Sequence, residues 1–246
     1  MPRVQVTVLW LPLVAFAADE IPDLSRVREV NLAYAAKLPS FVADETAKRY
    51  TSDKSDPPKW RLMNTVESEI DIHGRGPDSR RNIRLNGKPW NKSSDPNPTF
   101  HWYIGFGQEL TSLFDPKCST AIEFEGREEW QGKAVLAYRY HASRDGCFGT
   151  WNTMPPANPP RRGRFLVEVP GLNLIRYEEE GFDFPAGLER VHFTIQTSWD
   201  HVSIGGESYV LPVAFEMEVV NAGHVRAVVE YKNHRHFEAA TDVTFH

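Results

Sequence analysis

Three places in the 246-residue sequence gather side chains of the kinds that do chemistry. Ser198, Asp200 and His201 are the residue types of an acyl-transfer triad. They are close neighbours on a β-patterned run, where successive side chains point to opposite faces, so they cannot converge locally. The Gly-x-Ser-x-Gly elbow that presents a nucleophilic serine is absent. Glu178, Glu179 and Glu180 could supply paired carboxylates for acid–base work, but a run of acids beside Gly181 reads instead as a solvated strand end. His234 and His236, two apart on a strand, share a face with each other and with Glu238. A metal uses such spacing, yet a His-x-His pair with no third ligand reads as a solvated polar face. Phosphate-binding loops, calcium-binding loops and dinucleotide fingerprints are also missing. The sequence therefore assigns no catalytic residue, no metal and no cofactor, and it reads as non-enzymatic.

The two cysteines and the aromatics say more. Cys118 and Cys147 bracket two β-patterned runs, Ser119–Glu125 and Lys133–His141, joined through the turn-rich Gly126–Gly132. A hairpin brings its ends together, and Ser143-Arg144-Asp145-Gly146 can curl Cys147 back, so a disulfide is expected; the alternative is two buried thiols. Closing such a loop stabilises by about 3.6 kcal/mol in the chain-entropy model. Aromatics make up 12% of the residues. The densest run, Thr99 to Phe106, alternates so that Phe100, Trp102 and Ile104 share one strand face. With Phe106, Trp130 and Trp199 these either line an apolar ligand cavity or form ordinary core.

The elements that position these residues follow from periodicity. Leu24, Val27, Val30, Tyr34 and Leu38 recur at helical spacing, with Asp23 as a cap and Pro39 as a stop. Downstream the period falls to two. Val66, Ile70 and Ile72 alternate with acids, and Arg80–Asn86 returns with arginines placed to meet those acids on a solvated face, each cross-strand pair adding about 0.2–1 kcal/mol. A short helix over Gln108–Phe114 turns Leu110, Leu113 and Phe114 inward. Strands follow at Arg164–Val169, Leu174–Glu178 and Val191–Val202, and a hairpin runs from Phe215 through Asn221–His224 to Tyr231. Pro212 marks an edge or a bulge. The fold class expected is α+β: a large curved antiparallel sheet of about ten strands forming an unclosed half-barrel, with an N-terminal helix and one or two short helices.

Residues 1–17 read as an export signal: Arg3, then the apolar run Val6–Phe16, then small residues at Ala15 and Ala17. That run falls short of the roughly 20 residues that span a bilayer, and no later stretch is long and apolar enough to anchor the chain. Residues 18–246 are then one exported domain, periplasmic or extracellular. A net charge of −5 gives no basic field for nucleic acid.

Several phrases resemble the bacterial outer-membrane lipoprotein carrier and sensor group of the LolA, LolB and RseB type. They are the helix ending in Leu38-Pro39-Ser40-Phe41-Val42, and Arg84-Leu85-Asn86-Gly87-Lys88 closing an early hairpin. Glu125-Gly126-Arg127-Glu128-Glu129-Trp130-Gln131-Gly132-Lys133 joins two central strands. Ile204-Gly205-Gly206-Glu207-Ser208-Tyr209-Val210-Leu211-Pro212 precedes the terminal hairpin, which runs out through Asn233-His234-Arg235-His236-Phe237. The resemblance covers most of the mature chain and is closest to uncharacterised secreted members. It implies a half-barrel whose concave face holds acyl chains or another apolar ligand, with a lipid or an envelope protein as partner. The alternative function is an envelope interaction or sensing module with no small ligand.

Overall fold

Asp23 opens the first helix, α1 (Leu24–Lys37), and its carboxylate accepts from the Ser25 N–H at 3.3 Å. Pro39 stops α1, and the face carrying Val27, Asn31 and Ala35 is buried. Asn31 is a polar residue in the middle of that face, and all its contacts are made. Its Nδ2 donates to Leu172 O at 2.9 Å, and its Oδ1 accepts from Leu174 N at 2.9 Å. The computed structural model describes residues 23–53, 57–72, 78–91, 106–148, 158–188, 191–220 and 223–237. The export signal, Phe100, Trp102, Ile104 and Glu238 lie outside them.

Eleven strands follow: β1 (Phe41–Ser52), β2 (Trp60–Ile72), β3 (Ser79–Leu85), β4 (Lys88–Pro89), β5 (Ala121–Trp130) and β6 (Lys133–Ala142). The rest are β7 (Arg161–Glu168), β8 (Leu174–Gly181), β9 (His192–Ile204), β10 (Glu207–Val220) and β11 (His224–His236). A second helix, α2 (Phe106–Phe114), lies between β4 and β5. The strands form one antiparallel sheet in the order β4-β3-β2-β1-β11-β10-β9-β8-β7-β6-β5. Every neighbour in that order is also a neighbour in sequence except β1 and β11, which pair from Phe41↔His236 to Ser52↔His224. The sheet is not closed, and its two free edges, β3–β4 and β5, are consecutive in the chain.

Most of the expected elements are present. Glu67 faces Arg84 and Glu69 faces Arg81, with Arg81 Nε 2.9 Å from Glu69. Leu110, Leu113 and Phe114 of α2 are buried, and Phe114 meets Phe165 edge-on at 5.3 Å. Pro212 sits at a register shift between β9 and β10. Cys118 and Cys147 are joined by a disulfide, with Cα atoms 5.0 Å apart. Ser112 Oγ donates to Cys147 O at 3.0 Å, so the bridge also fastens the end of α2.

Two expectations are corrected. β1 was not among the strands expected, because its alternate positions Ala43, Glu45, Ala47 and Arg49 do not form an apolar stripe. The acids 178–180 are not a solvated strand end. Alternation along β8 turns Glu178 and Glu180 to one face and buries Glu179 on the other.

Candidate functional site

Cross-strand pairing identifies the face of the sheet on which α2 rests. Phe165, which meets Phe114, pairs with Tyr138 and Tyr177, and Tyr177 pairs with Thr197. The same row continues through Phe215, Val229, Ala47 and Val66. Paired residues share a face, so this row crosses the inner side from one half of the sheet to the other. Bulk is divided unevenly along it. The β6–β8 half is filled with rings: Tyr138 stacks on Phe165 at 5.0 Å, and Tyr140 stacks on Tyr177 at 5.6 Å. The β1–β11 half mixes the buried Ala43, Ala47 and Ala227 with Phe41, Val229 and Tyr231 on the same face.

Two polar clusters interrupt this apolar face. On β7 and β8, Arg161 Nη1 donates to Glu179 Oε1, and the Tyr177 hydroxyl donates to the other oxygen. Tyr140 donates to Tyr177 at 2.8 Å. The Arg161 guanidinium also lies over the rings of Phe148 and Phe193, 5.3 and 5.4 Å from their centres. Gly181, opposite Arg161 and Phe193, leaves room for that ring: a Cβ there would sit 2.0 Å from Phe193 Cε1. Glu109 of α2 adds a second carboxyl whose Oε2 is buried without a hydrogen-bond partner. Burial first, and then the Glu179 charge, pushes the Glu109 carboxyl up to about 8, against the pull of Arg161. The same burial, reinforced by Glu179, holds the Tyr140 and Tyr177 hydroxyls well above the usual phenol value.

The second cluster spans β1, β2 and β3. Glu45 accepts from Arg80 Nε at 2.8 Å and from Nη2 at 2.9 Å, while Ser68 Oγ donates to its Oε1 at 2.8 Å. Arg80 Nη1 reaches Asp78 at 2.8 Å. Burial opposes the charge of Arg80, but the bonds to Glu45 outweigh it and hold the guanidinium protonated. Burial also raises the Asp78 carboxyl above its ordinary value. Beside this group, Arg49 Nε donates to Asn64 Oδ1 at 2.6 Å.

The outer face is different in kind. Arg164 bridges Glu125 and Glu128, Arg139 also holds Glu125, and Arg162 holds Glu180. A groove of about 370 Å³ runs among these side chains, with Gln196 and Thr194 on its far wall. Its charges are already paired with each other.

The residues singled out in the sequence are placed as follows. Trp199 is buried on the inner face, 6.4 Å from Tyr177 in an edge-on contact. Trp130 carries the Arg176 guanidinium on its ring at 5.2 Å, and Arg176 points away from Tyr177, so Trp130 and Trp199 do not share a wall. Phe106 is the first residue of α2, and its side chain is outside the described ones. Ser198, Asp200 and His201 go to three different partners: Arg176, Lys133 and Glu168. His201 Nε2 lies 2.9 Å from both Glu168 oxygens, which ties the start of the β7–β8 turn to the β9–β10 hairpin. His234 Nε2 is committed to Pro212 O at 2.9 Å, and burial lowers its pKa. Among the described residues no group of three or more metal-ligating side chains occurs. Sequence reading passed over Arg49, Asn64, Glu45, Arg161 and Glu109, and it put Arg80 on the solvated face, whereas Arg80 lies opposite Ile70 and turns to the buried Glu45. The one signal available was charge at alternate positions of an otherwise alanine- and phenylalanine-bearing run, Phe41-Ala43-Glu45-Ala47-Arg49.

No family model matches the chain, and no curated protein matches it. Among solved structures it is similar to a domain described as an outer-membrane lipoprotein-sorting protein from Vibrio parahaemolyticus, at 11% identity and a TM-score of 0.40 over 89% of this chain and 93% of that one. A DUF1329 family protein from Desulfovibrio piger gives 10% identity and a TM-score of 0.38 over 91% and 95%. A LolA superfamily protein from Nitrosomonas europaea gives 10% and 0.36 over 91% and 97%. They include the group that the sequence phrases resemble. No described helix is long and apolar enough to cross a membrane.

Proposed function

We propose that the protein is an exported binding protein that holds an apolar or lipid-like ligand against the inner face of its unclosed sheet. The observation that carries this reading is the pairing of an open edge with an uneven inner face. Eleven strands stop short of closure, and the half of the inner face opposite the packed rings has Ala43, Ala47 and Ala227 among the larger Phe41, Val229 and Tyr231. An apolar face on an unclosed sheet is a surface against which an apolar ligand can pack. Export is supported by the leader-like pattern of residues 1–17 in the sequence and by the disulfide, which persists in an oxidising compartment. Phe100, Trp102 and Ile104, in the stretch of sequence between β4 and α2, are proposed as a further part of the apolar wall together with Phe106 and Trp199.

Native mass spectrometry of the purified mature protein, followed by solvent extraction, tests the reading. Acyl species released at about one per chain are expected. A protein that carries nothing and takes up no member of an amphiphile panel would exclude it.

A second reading, an envelope interaction module without a small ligand, is favoured by one feature. β5 is a ten-residue edge strand and most of its residues are exposed. Such an edge can accept a strand from a partner. A ligand-free protein that forms a stable complex blocked by proline substitution in β5 would favour it.

A further inference from the structure

We infer that β5 takes up, as an added strand, an extended segment of a partner protein in which apolar residues alternate with basic ones. This rests on the edge-strand reading above and names the partner for it.

β5 pairs with β6, and among the described residues no strand lies on its other side. Natural edges are guarded by lysine, proline, bulges or a covering strand. At the other end of the sheet β4 covers β3 at Arg84 and Leu85. β5 has neither lysine nor proline. Its one bulge, between Phe124 and Gly126, leaves residues 121–124 and 126–130 in regular register with β6. Such runs offer backbone N–H and C=O groups to an incoming strand.

The side chains of β5 define what that strand carries. Ile122 and Phe124 pair with Tyr140 and Tyr138 and so lie on the inner face. Phe124 meets Tyr138 edge-on at 5.4 Å and is still 39% exposed, a ring left half open at the edge of the sheet. An apolar residue opposite each of the two continues the inner row. Glu123, between them, points to the outer face. β5 has four carboxylates, Glu123, Glu125, Glu128 and Glu129, against one cation, Arg127. Arg139 and Arg164 draw Glu125 and Glu128 back over the sheet. Glu123 and Glu129, one on each side of the bulge, are in no ion pair among the described residues. A base opposite Glu123 and a second one reaching Glu129 match them, whereas an acidic strand meets like charge. A second copy of this chain fits poorly. Its β5 would set two acidic strands side by side, and on its β3 Arg81 is already held by Glu69 and Arg80 by Glu45.

The test uses the purified mature protein and three labelled peptides as long as β5, ten residues. One alternates Val with Lys, one Val with Glu, and one Ser with Lys. Fluorescence anisotropy is expected to show the Val–Lys peptide binding about tenfold more tightly than either of the others. Glu123→Lys combined with Glu129→Lys is expected to move the preference to the Val–Glu peptide, a gain of binding that also shows that the variant folds. Phe124→Ser is expected to remove the advantage of Val–Lys over Ser–Lys while Ser–Lys binds as before. A Val–Lys peptide with every amide N-methylated cannot add as a strand and is expected not to bind. If it binds as well as its parent, charge alone holds it and the inference fails. Equal binding of Val–Lys and Val–Glu by the natural protein would overturn the partner assignment and leave the edge-strand reading standing. Failure of all three peptides to bind would overturn both, and a dimer broken by Phe124→Pro would give the edge to a second copy instead.

Discussion

Arg161 and Glu179 form an ion pair inside the protein, on adjacent strands and beneath α2, with the Tyr177 hydroxyl on the second carboxylate oxygen. Taking both charges out of water is expensive, so the pair is worth most as a matched set. Glu179→Ala leaves the guanidinium buried without its carboxylate and is expected to lower unfolding stability by about 3 kcal/mol, the lower end of the range for broken buried pairs. The midpoint of urea denaturation measures it. A loss below about 0.5 kcal/mol would show that water reaches Arg161.

Glu109 gives the pH dependence its sign. Its folded pKa, about 8, lies above the ordinary 4.5, so the folded protein keeps a proton that the unfolded chain releases. A carboxyl raised in this way costs nothing below pH 4.5, and its cost grows from there to about pH 8 and then levels off. Glu109→Gln removes the titration. It is expected to be more stable than the natural protein by about 3 kcal/mol at pH 7, with the gap closing towards pH 4.5. Thermal melts of both proteins across this range check the sign, and a constant gap would refute the assignment.

The disulfide closes a loop with a sequence separation of 29 and also holds the end of α2 through Ser112. Replacing both cysteines by serine is expected to cost about 3.6 kcal/mol by the chain-entropy model. Hydrogen exchange of Leu110–Phe114 should rise more than that of β10 and β11. A uniform rise would mean that the bridge acts only through the unfolded chain.

Asn31 joins α1 to the β7–β8 turn through Leu172 O and Leu174 N. Asn31→Leu removes both bonds and strands two buried backbone groups, and a loss of about 2–6 kcal/mol is expected at about 1–3 kcal/mol for each. Protease cleavage after α1 becoming faster than cleavage elsewhere would locate the loss at this junction.

How much of this was legible in the sequence depends on what each residue has to satisfy. α1, α2, the Val66–Ile72 strand and the terminal hairpin announce themselves because one face meets core and the other meets water. The disulfide was legible because its cysteines bracket a hairpin. β1 was not, since a strand is recognised by its apolar stripe and this one carries Glu45 and Arg49 inside. Arg49 is bonded to Asn64 on a different strand, and Glu179 to Arg161 on another. No local pattern records such partnerships. The place where binary patterning fails is also the place where the inner face is polar, as expected where a surface has work besides packing.

The pairing of β1 with β11 has a consequence for how the protein is made. Every other ladder joins strands that emerge one after the other, but this one joins the first strand to the last. A chain made from its N-terminus can complete β1–β4 and assemble β5–β10 as a second ribbon, yet the two cannot become one sheet until β11 arrives. Until then each ribbon shows an unguarded strand, β1 on one and β10 on the other, and contacts this distant in sequence form slowly. β11 is therefore the clasp of the sheet, and the interval before it closes is when the newly made chain is most open to wrong partners.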